Sequence, residues 1–439
     1  MGRLGRNKKG YSTVFMCMIL SATLLLTGFF GEMAAGLASR SYANAIFDLA
    51  GRSILSEYDR TLKSRYGIFA FLLDDEVIEN KLIEYAGASL GRGMGKSSLL
   101  PLEIRKISVD SGEFVLTNLD LLEEQIVDHM KYRILIDSLN ILDLLDSKER
   151  DNEESFSFDE KEDEQTEQKI KGRTLRKLDI INGLPSRVLE GMDGGFINIL
   201  NLPKPAEMGE IAYNELCLNR YILRYFRHNS DEEAFGDTFF RNEIEYILCG
   251  RLSDDANSNI VYLSLLSFRT IINTAHIYAD SNKLKAVTAA AALAGGGVAT
   301  AAAQAAITLA WAGAEAASDM GRLRRGEGVP LIKTADDWVL GLEKVLEGVA
   351  DSVIPPEDNQ KGLRYEDYLF LLLCFKSRES KLIRIMDLIQ LNIKGSDNDT
   401  FAMAKCLYGF RFEAELSRTR GFPGIFPRRT GVITGTHVY

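Results

Sequence analysis

The sequence predicts a helix-rich α+β fold: a long N-terminal transmembrane and stalk helix, and an outer domain of helices around a small antiparallel sheet. Three observations carry that expectation. Gly10 to Gly31 bear no charged side chain and follow a basic flank of Arg3, Arg6, Lys8 and Lys9. Most of the remaining chain repeats its apolar residues at helical spacing. Runs of strand character stand near the start of the outer region, in its middle and at its end. The expected organisation is a basic cytoplasmic N-terminus (1–10), a transmembrane helix (11–31), a stalk helix (32–64) and an extracytoplasmic domain (65–439).

The uncharged segment spans roughly 33 Å as a helix, enough for a hydrocarbon core. Positive charge is retained on the cytoplasmic side, so the expected topology is single-pass with the N-terminus inside the cell membrane and the bulk outside. Two alternatives stand beside a retained anchor. Gly36-Leu37-Ala38 offers small residues at a signal-peptide cleavage position. Lys9-Gly10-Tyr11 before an apolar helix has the form of a prepilin processing site, but Phe15 stands where pilins carry a Glu, and the first acidic residue is Glu32.

Helical periodicity continues past the membrane through Tyr42, Ile46, Leu49 and Ser53, then Leu55, Tyr58 and Leu62, predicting one helix from about Thr13 to Leu62. Tyr66 to Leu72 reads as a buried strand, Glu76–Ala86 as a short helix, and Leu102 to Asn118 as a hairpin turning at Asp110-Ser111-Gly112. Leu119 to Leu145 is an amphipathic helix. The acidic run 147–169 cannot bury apolar surface and is expected to be a disordered loop. Ala206–Arg227 reads as a helix, Phe239–Gly250 as a strand and Asn257–Ala279 as a helix. Ala286 to Ala314 carries no charge and centres on Gly295-Gly296-Gly297; it is either a close-packed helix or hairpin bent at the glycines, or a second membrane span. Helices are expected at Asp336–Gly348, Tyr365–Lys376 and Ser380–Lys394, and extended chain at Phe401–Leu416 and Arg429–Tyr439.

The chain has 439 residues, 46% of them hydrophobic, with a net charge of −10 and a pI near 5.2. An acidic body argues against nucleic acid as a partner. Cys217, Cys249, Cys374 and Cys406 show no CxxC spacing, and the four histidines are not paired at metal-ligand spacing, so no metal or cofactor is expected. Outside a membrane those four cysteines form up to two disulfides or remain buried thiols.

Several short patterns bear on chemistry. Gly87-Ala88-Ser89-Leu90-Gly91 matches GxSxG, but helical spacing precedes it where a nucleophile elbow needs a strand. Gly91-Arg92-Gly93-Met94-Gly95-Lys96-Ser97 approaches a phosphate loop with one residue too few between its glycines. Glu243 with Glu245, and Glu366 with Asp367, are carboxylate pairs of the kind that divides acid and base roles in glycoside hydrolysis, but a solvated strand face or a helix first turn is far the commoner setting for such pairs. Trp311, Glu315 and Asp319 recur every four residues and share a helix face, where a buried Glu315 needs an Arg or a helix-terminal amide. None of these patterns assigns a catalytic, cofactor-binding or metal-binding residue.

Lys9-Gly10-Tyr11-Ser12-Thr13-Val14-Phe15, Glu32 with Arg40, Leu55-Ser56-Glu57-Tyr58 and Tyr66-Gly67-Ile68-Phe69 form one set of short stretches. With them go Asn242 to Leu248, Trp311-Ala312 with Glu315 and Asp319, Val329-Pro330-Leu331, Tyr365 to Leu369 and Asp387 to Gln390. On these stretches the chain resembles an uncharacterised domain-of-unknown-function family of Gram-positive bacteria, associated with Tad (tight adherence) pilus loci beside TadE- and TadG-like pseudopilins. The resemblance implies a membrane-anchored accessory or structural component acting through contacts with pilus or pseudopilin-like proteins, without catalytic residues. The alternative is an anchored extracytoplasmic hydrolase or ligand-binding module.

Overall fold

The computed structural model describes residues 9–92, 102–146, 183–188, 210–229, 238–294, 299–348, 362–396, 398–418 and 430–439. The acidic run 147–169 and most of Gly91–Ser97 lie outside them. The chain divides into two units: Met1–Ser64, Ile68–Leu121 and Ala404–Tyr439 form the first, and Arg65–Gly67 with Leu122–Met403 the second.

The first unit is built on α1 (Lys9–Leu55). By length and composition this helix is sufficient to cross a membrane, and its apolar stretch is bare. Packing begins only at Ser39, with Ala43, Ile46, Phe47, Ala50 and Ile54 forming the buried stripe. Tyr42 and Leu49, which the spacing places on that stripe, are exposed. Small residues at 43 and 50 let the helix approach its neighbours, so the contact face turns toward them. The helix stops at Leu55 rather than Leu62 because Asp59 starts a new one: its Oδ1 accepts from Leu62 N–H at 2.8 Å, capping α2 (Arg60–Tyr66). Glu57, in the break, is held by Lys81 Nζ and Tyr85 Oη of α3 (Asp75–Arg92), each at 2.5 Å.

Three strands complete the unit: β1 (Leu102–Asp110), β2 (Gly409–Arg418) and β3 (Thr430–Val438), antiparallel, with β2 central. The expected Leu102–Asn118 hairpin does not form. β1 pairs from Leu102↔Arg418 to Asp110↔Arg411, and Gly112–Phe114 is a 3₁₀ turn. Local alternation at Leu102, Ile107 and Val109 fits any partner, and the chosen one lies some 300 residues away. Tyr66–Leu72 likewise forms no strand, only a bridge from Phe71 to Leu407. The inner sheet face (Phe410, Phe412, Ala414, Leu416, Ile433) packs on the α1 stripe and on Ile78, Leu82 and Ala86 of α3. Phe47 stacks on Phe412 at 5.3 Å. Each large apolar side chain buried there contributes about 1.5–3 kcal/mol.

The second unit is helical: α4 (Leu119–Asp146, its first turn shared with the first unit), α5 (Pro185–Val188), α6 (Glu210–Tyr225), α7 (Glu243–Cys249), α8 (Asp254–Ala279), α9 (Ser281–Ala294), α10 (Ala299–Arg324), α11 (Leu342–Leu346), α12 (Tyr365–Cys374) and α13 (Arg378–Ser396). The helix expected over Asp336–Gly348 contracts to the five residues of α11. The strand expected over Phe239–Gly250 is the helix α7. Gly250 ends it in the left-handed region (φ 71°), its N–H donating to Tyr246 O. A side chain there would also strike the Arg384 guanidinium, 2.6 Å from the Cβ position.

The charge-free stretch from Ala286 forms two helices, α9 and α10, packed on each other. Val287, Ala291, Ala312 and Ala316 are buried, but Leu293 is 92% exposed, so the pair is not close-packed along its whole length. Length and apolar composition also qualify α8 as a span, yet α8 buries a polar face within the unit. α13 is buried along nearly its full length.

Candidate functional site

Two buried polar clusters occupy the second unit. The first grows from α8, whose buried positions recur strictly every four residues: Asn257, Val261, Leu265, Arg269, Asn273 and Ile277. Arg269, wholly buried, donates to Asp319 Oδ2 of α10 through Nε (3.0 Å) and Nη2 (2.8 Å), and through Nη1 to Pro330 O (2.9 Å), Leu331 O (2.8 Å) and Tyr368 Oη (3.1 Å). Lys333 Nζ lies 2.6 Å from Asp319 Oδ1 and also bonds Glu315 Oε1. Glu315 accepts from Val339 N–H (3.0 Å) and Leu340 N–H (2.8 Å), and Trp311 Nε1 donates to Leu340 O (2.8 Å).

Trp311, Glu315 and Asp319 therefore do share a buried face. The partner of Glu315 is a lysine with two loop amides, not the arginine or helix-end amide expected. Two cations meet two anions, so the cluster is formally neutral. It ties α8, α10, α12 and the 329–340 segment together. Charges placed without water require this degree of pairing. Burial pushes the Tyr368 phenol up to about 12. Neither Arg269 nor Lys333 is among the sequence candidates, although a charged residue at position 269 of a four-residue repeat that includes Val261, Leu265 and Ile277 is a readable signal.

The second cluster centres on α7 and α13. Glu243 and Glu245 are fully buried in the first turn of α7. Glu243 Oε2 accepts from Arg227 N–H (3.0 Å) and Glu245 Oε1 from Asn229 N–H (3.0 Å), while Ile244 N–H donates back to Arg227 O (2.9 Å). The pair thus holds the 227–229 main chain. Asn392 Nδ2 donates to Glu243 Oε1 at 2.6 Å, and Tyr365 Oη to Glu245 Oε1 at 2.8 Å. Burial drives the Glu243 carboxyl up to about 7 against those hydrogen bonds, and raises Glu245 and Asp387 for the same reason. Along α13, Lys381 meets Glu215 and Asn219, Arg384 donates to Ile247 O (2.8 Å), and Asp387 accepts from Tyr246 Oη (2.7 Å). Gln390 donates to Gly183 O (2.7 Å).

The remaining sequence candidates are dispersed. Ser89 lies within α3, without a strand-to-helix elbow. Glu366 and Asp367 form the exposed first turn of α12, where Asp367 caps by accepting from Arg364 N–H at 2.9 Å. His129 bonds Tyr225 Oη at 2.5 Å, and His437 lies flat on Phe412. Among the described residues no group of three or more His, Cys, Asp or Glu is placed to hold a metal ion. All five cysteines are free thiols. Chemically, both clusters pin main chain and neutralise charge; their carboxylates face protein rather than solvent.

A profile for a protein family of unknown function, DUF5702, matches residues 165–418, more than half of the chain. No curated protein matches, and no solved structure matches.

Proposed function

The chain belongs to DUF5702, a family of unknown function, and from that premise we propose a membrane-anchored extracytoplasmic protein. It serves as an accessory or structural component of a Tad-like pilus or secretion locus and acts through protein–protein contacts. One observation carries the reading: α1 is a single helix with two environments. Its first half is bare and apolar, with Leu24 63% exposed, and its second half is packed against a three-stranded sheet. Exposed apolar surface on that scale is unfavourable in water by about 25 cal/mol per Å². A bilayer or a bundle of like helices removes that penalty. The basic flank ahead of it supports an inside N-terminus. The pilus assignment comes from the resemblance of the short stretches described above.

Deleting the gene tests the reading. Loss of surface pili, with pilin still synthesised and the protein recovered in the membrane fraction, is the expected result. Unchanged piliation in the deletion strain removes the pilus assignment. Recovery of full-length protein as a soluble cytosolic species removes the anchor.

A further inference from the structure

The two edges of the sheet differ. β1 is guarded: it carries Glu103, Arg105 and Lys106, its register shifts between Ile104 and Lys106, and Val109 N–H is taken by Glu79 Oε1 of α3 at 3.0 Å. Charges, bulges and covering side chains are how natural sheets protect an edge from further strands. Among the described residues β3 has none of these. It runs nine residues in unbroken register with β2, from Ser417↔Thr430 to Gly409↔Val438, with no Lys, Arg, Asp, Glu or Pro. Among the described residues no strand borders its other side.

The direction of its main-chain groups can be read. Tyr439 N–H donates to Tyr408 O, and the His437 carbonyl points at Gly409. Odd-numbered residues of β3 therefore turn their amides to β2, and Thr430, Val432, Thr434, Thr436 and Val438 present theirs outward. Val432 is 50% exposed. Gly431 adds an independent mark. Glycine weakens a strand unless another backbone or side chain approaches it closely. Gly435 has such a reason inside the molecule, since a Cβ there meets the Phe412 ring at 2.5 Å. A Cβ at Gly431 meets nothing.

We propose that the outer edge of β3 is a strand-addition site that takes an uncharged, β-branched, extended segment of a partner protein. The side chain of that segment opposite Gly431 is large, since nothing in the chain fills the space over that glycine. Uncharged chemistry follows from the edge itself: a charge on the added strand would lie against Val432, Thr434 and Thr436 without an opposite charge on β3. A second anchored copy does not fit. Two β3 strands pair about an axis normal to the sheet, which reverses α1 lying on the inner face, so the two anchors would point in opposite directions. That exclusion alone rests on the membrane anchor proposed above. Head-to-tail copies would need the guarded β1.

The probe is a synthetic peptide of residues 430–439, free of α1. Set antiparallel about Thr434, it places His437 opposite Gly431. Its binding to the full-length protein in detergent is measured by fluorescence anisotropy. Saturable binding is expected, weakened roughly tenfold or more by Thr434→Pro in the protein. That substitution removes an outward N–H that the β2 ladder does not use, and an unchanged thermal midpoint, measured alongside, shows that the ladder stands. A peptide with lysine at the positions of Val432 and Thr436 is expected to bind at least as poorly. Absence of binding to the wild type, or equal binding to Thr434→Pro, overturns the proposal. So does a disulfide-linked homodimer of Thr434→Cys in oxidised cells, in a background where Cys17 and Cys374 are serine, since it identifies a second copy as occupant. Peptide binding in detergent is independent of topology, so it succeeds or fails separately from the anchor.

Discussion

Arg269 is one residue on which much of the second unit depends. It satisfies Asp319, two carbonyls of the 330–331 segment and Tyr368 at once. Asp319→Leu leaves that guanidinium buried with no carboxylate, and a cost of about 3–5 kcal/mol is expected by denaturant unfolding. Arg269→Met with Asp319→Leu removes one charge of each sign and leaves the Lys333–Glu315 pair; the double variant should recover a large part of the loss. Equal or greater destabilisation of the double variant would show that the charges are not acting as a set. Glu243 makes a separate prediction. Its folded-state carboxyl titrates near 7 against 4.5 for the free group. Between those values the folded protein holds a proton that the unfolded chain releases, so Glu243 lowers stability as pH rises, fully above about 7 and not below about 4.5. The full effect is on the order of 3 kcal/mol. Glu243→Gln should remove most of that slope between about pH 5 and 7.5, with a remainder from Glu245 and Asp387. A wild-type slope retained in the variant assigns the titration elsewhere. These sites were half legible: Glu315 and Asp319 showed themselves by spacing, whereas Lys333 sits in irregular chain, where no period can reveal it.

At the scale of elements, long periodic helices were readable and short ones were not. α4, α8 and α12 start or end within a few residues of their expected limits. α7 was misread because Glu243 to Leu248 are all buried, so alternation along them carries no information about which face is inside. The α1–β3 contact offers a test of packing. His437 covers Gly51 so closely that an alanine Cβ there would lie 2.2 Å from its ring. Gly51→Ala is therefore expected to destabilise by about 1–3 kcal/mol through overpacking. In a His437→Ala background the same change should become favourable by about 1 kcal/mol, because the clash is gone and alanine is the better helix former. Thermal unfolding of the four proteins reads the reversal of sign; a clash unaffected by His437 would relocate its cause.

At the scale of the whole molecule, labelling decides topology. Cysteines placed at Ser157 and Thr436 are both expected to react with an impermeant maleimide from outside intact cells, as a single span requires. Reaction at Ser157 with protection at Thr436 would make a second crossing real. The apolar N-terminal segment, the predominance of helix and the presence of a small antiparallel sheet follow from the amino-acid order itself, because charge exclusion and periodicity act over tens of residues. The choice of β2 as partner for β1, the conversion of 243–249 to helix and the pairing of Arg269 and Lys333 with their carboxylates were decided only in the folded chain. Those features join segments tens to hundreds of residues apart, and burial, which selects among locally equivalent alternatives, exists only once such segments have met.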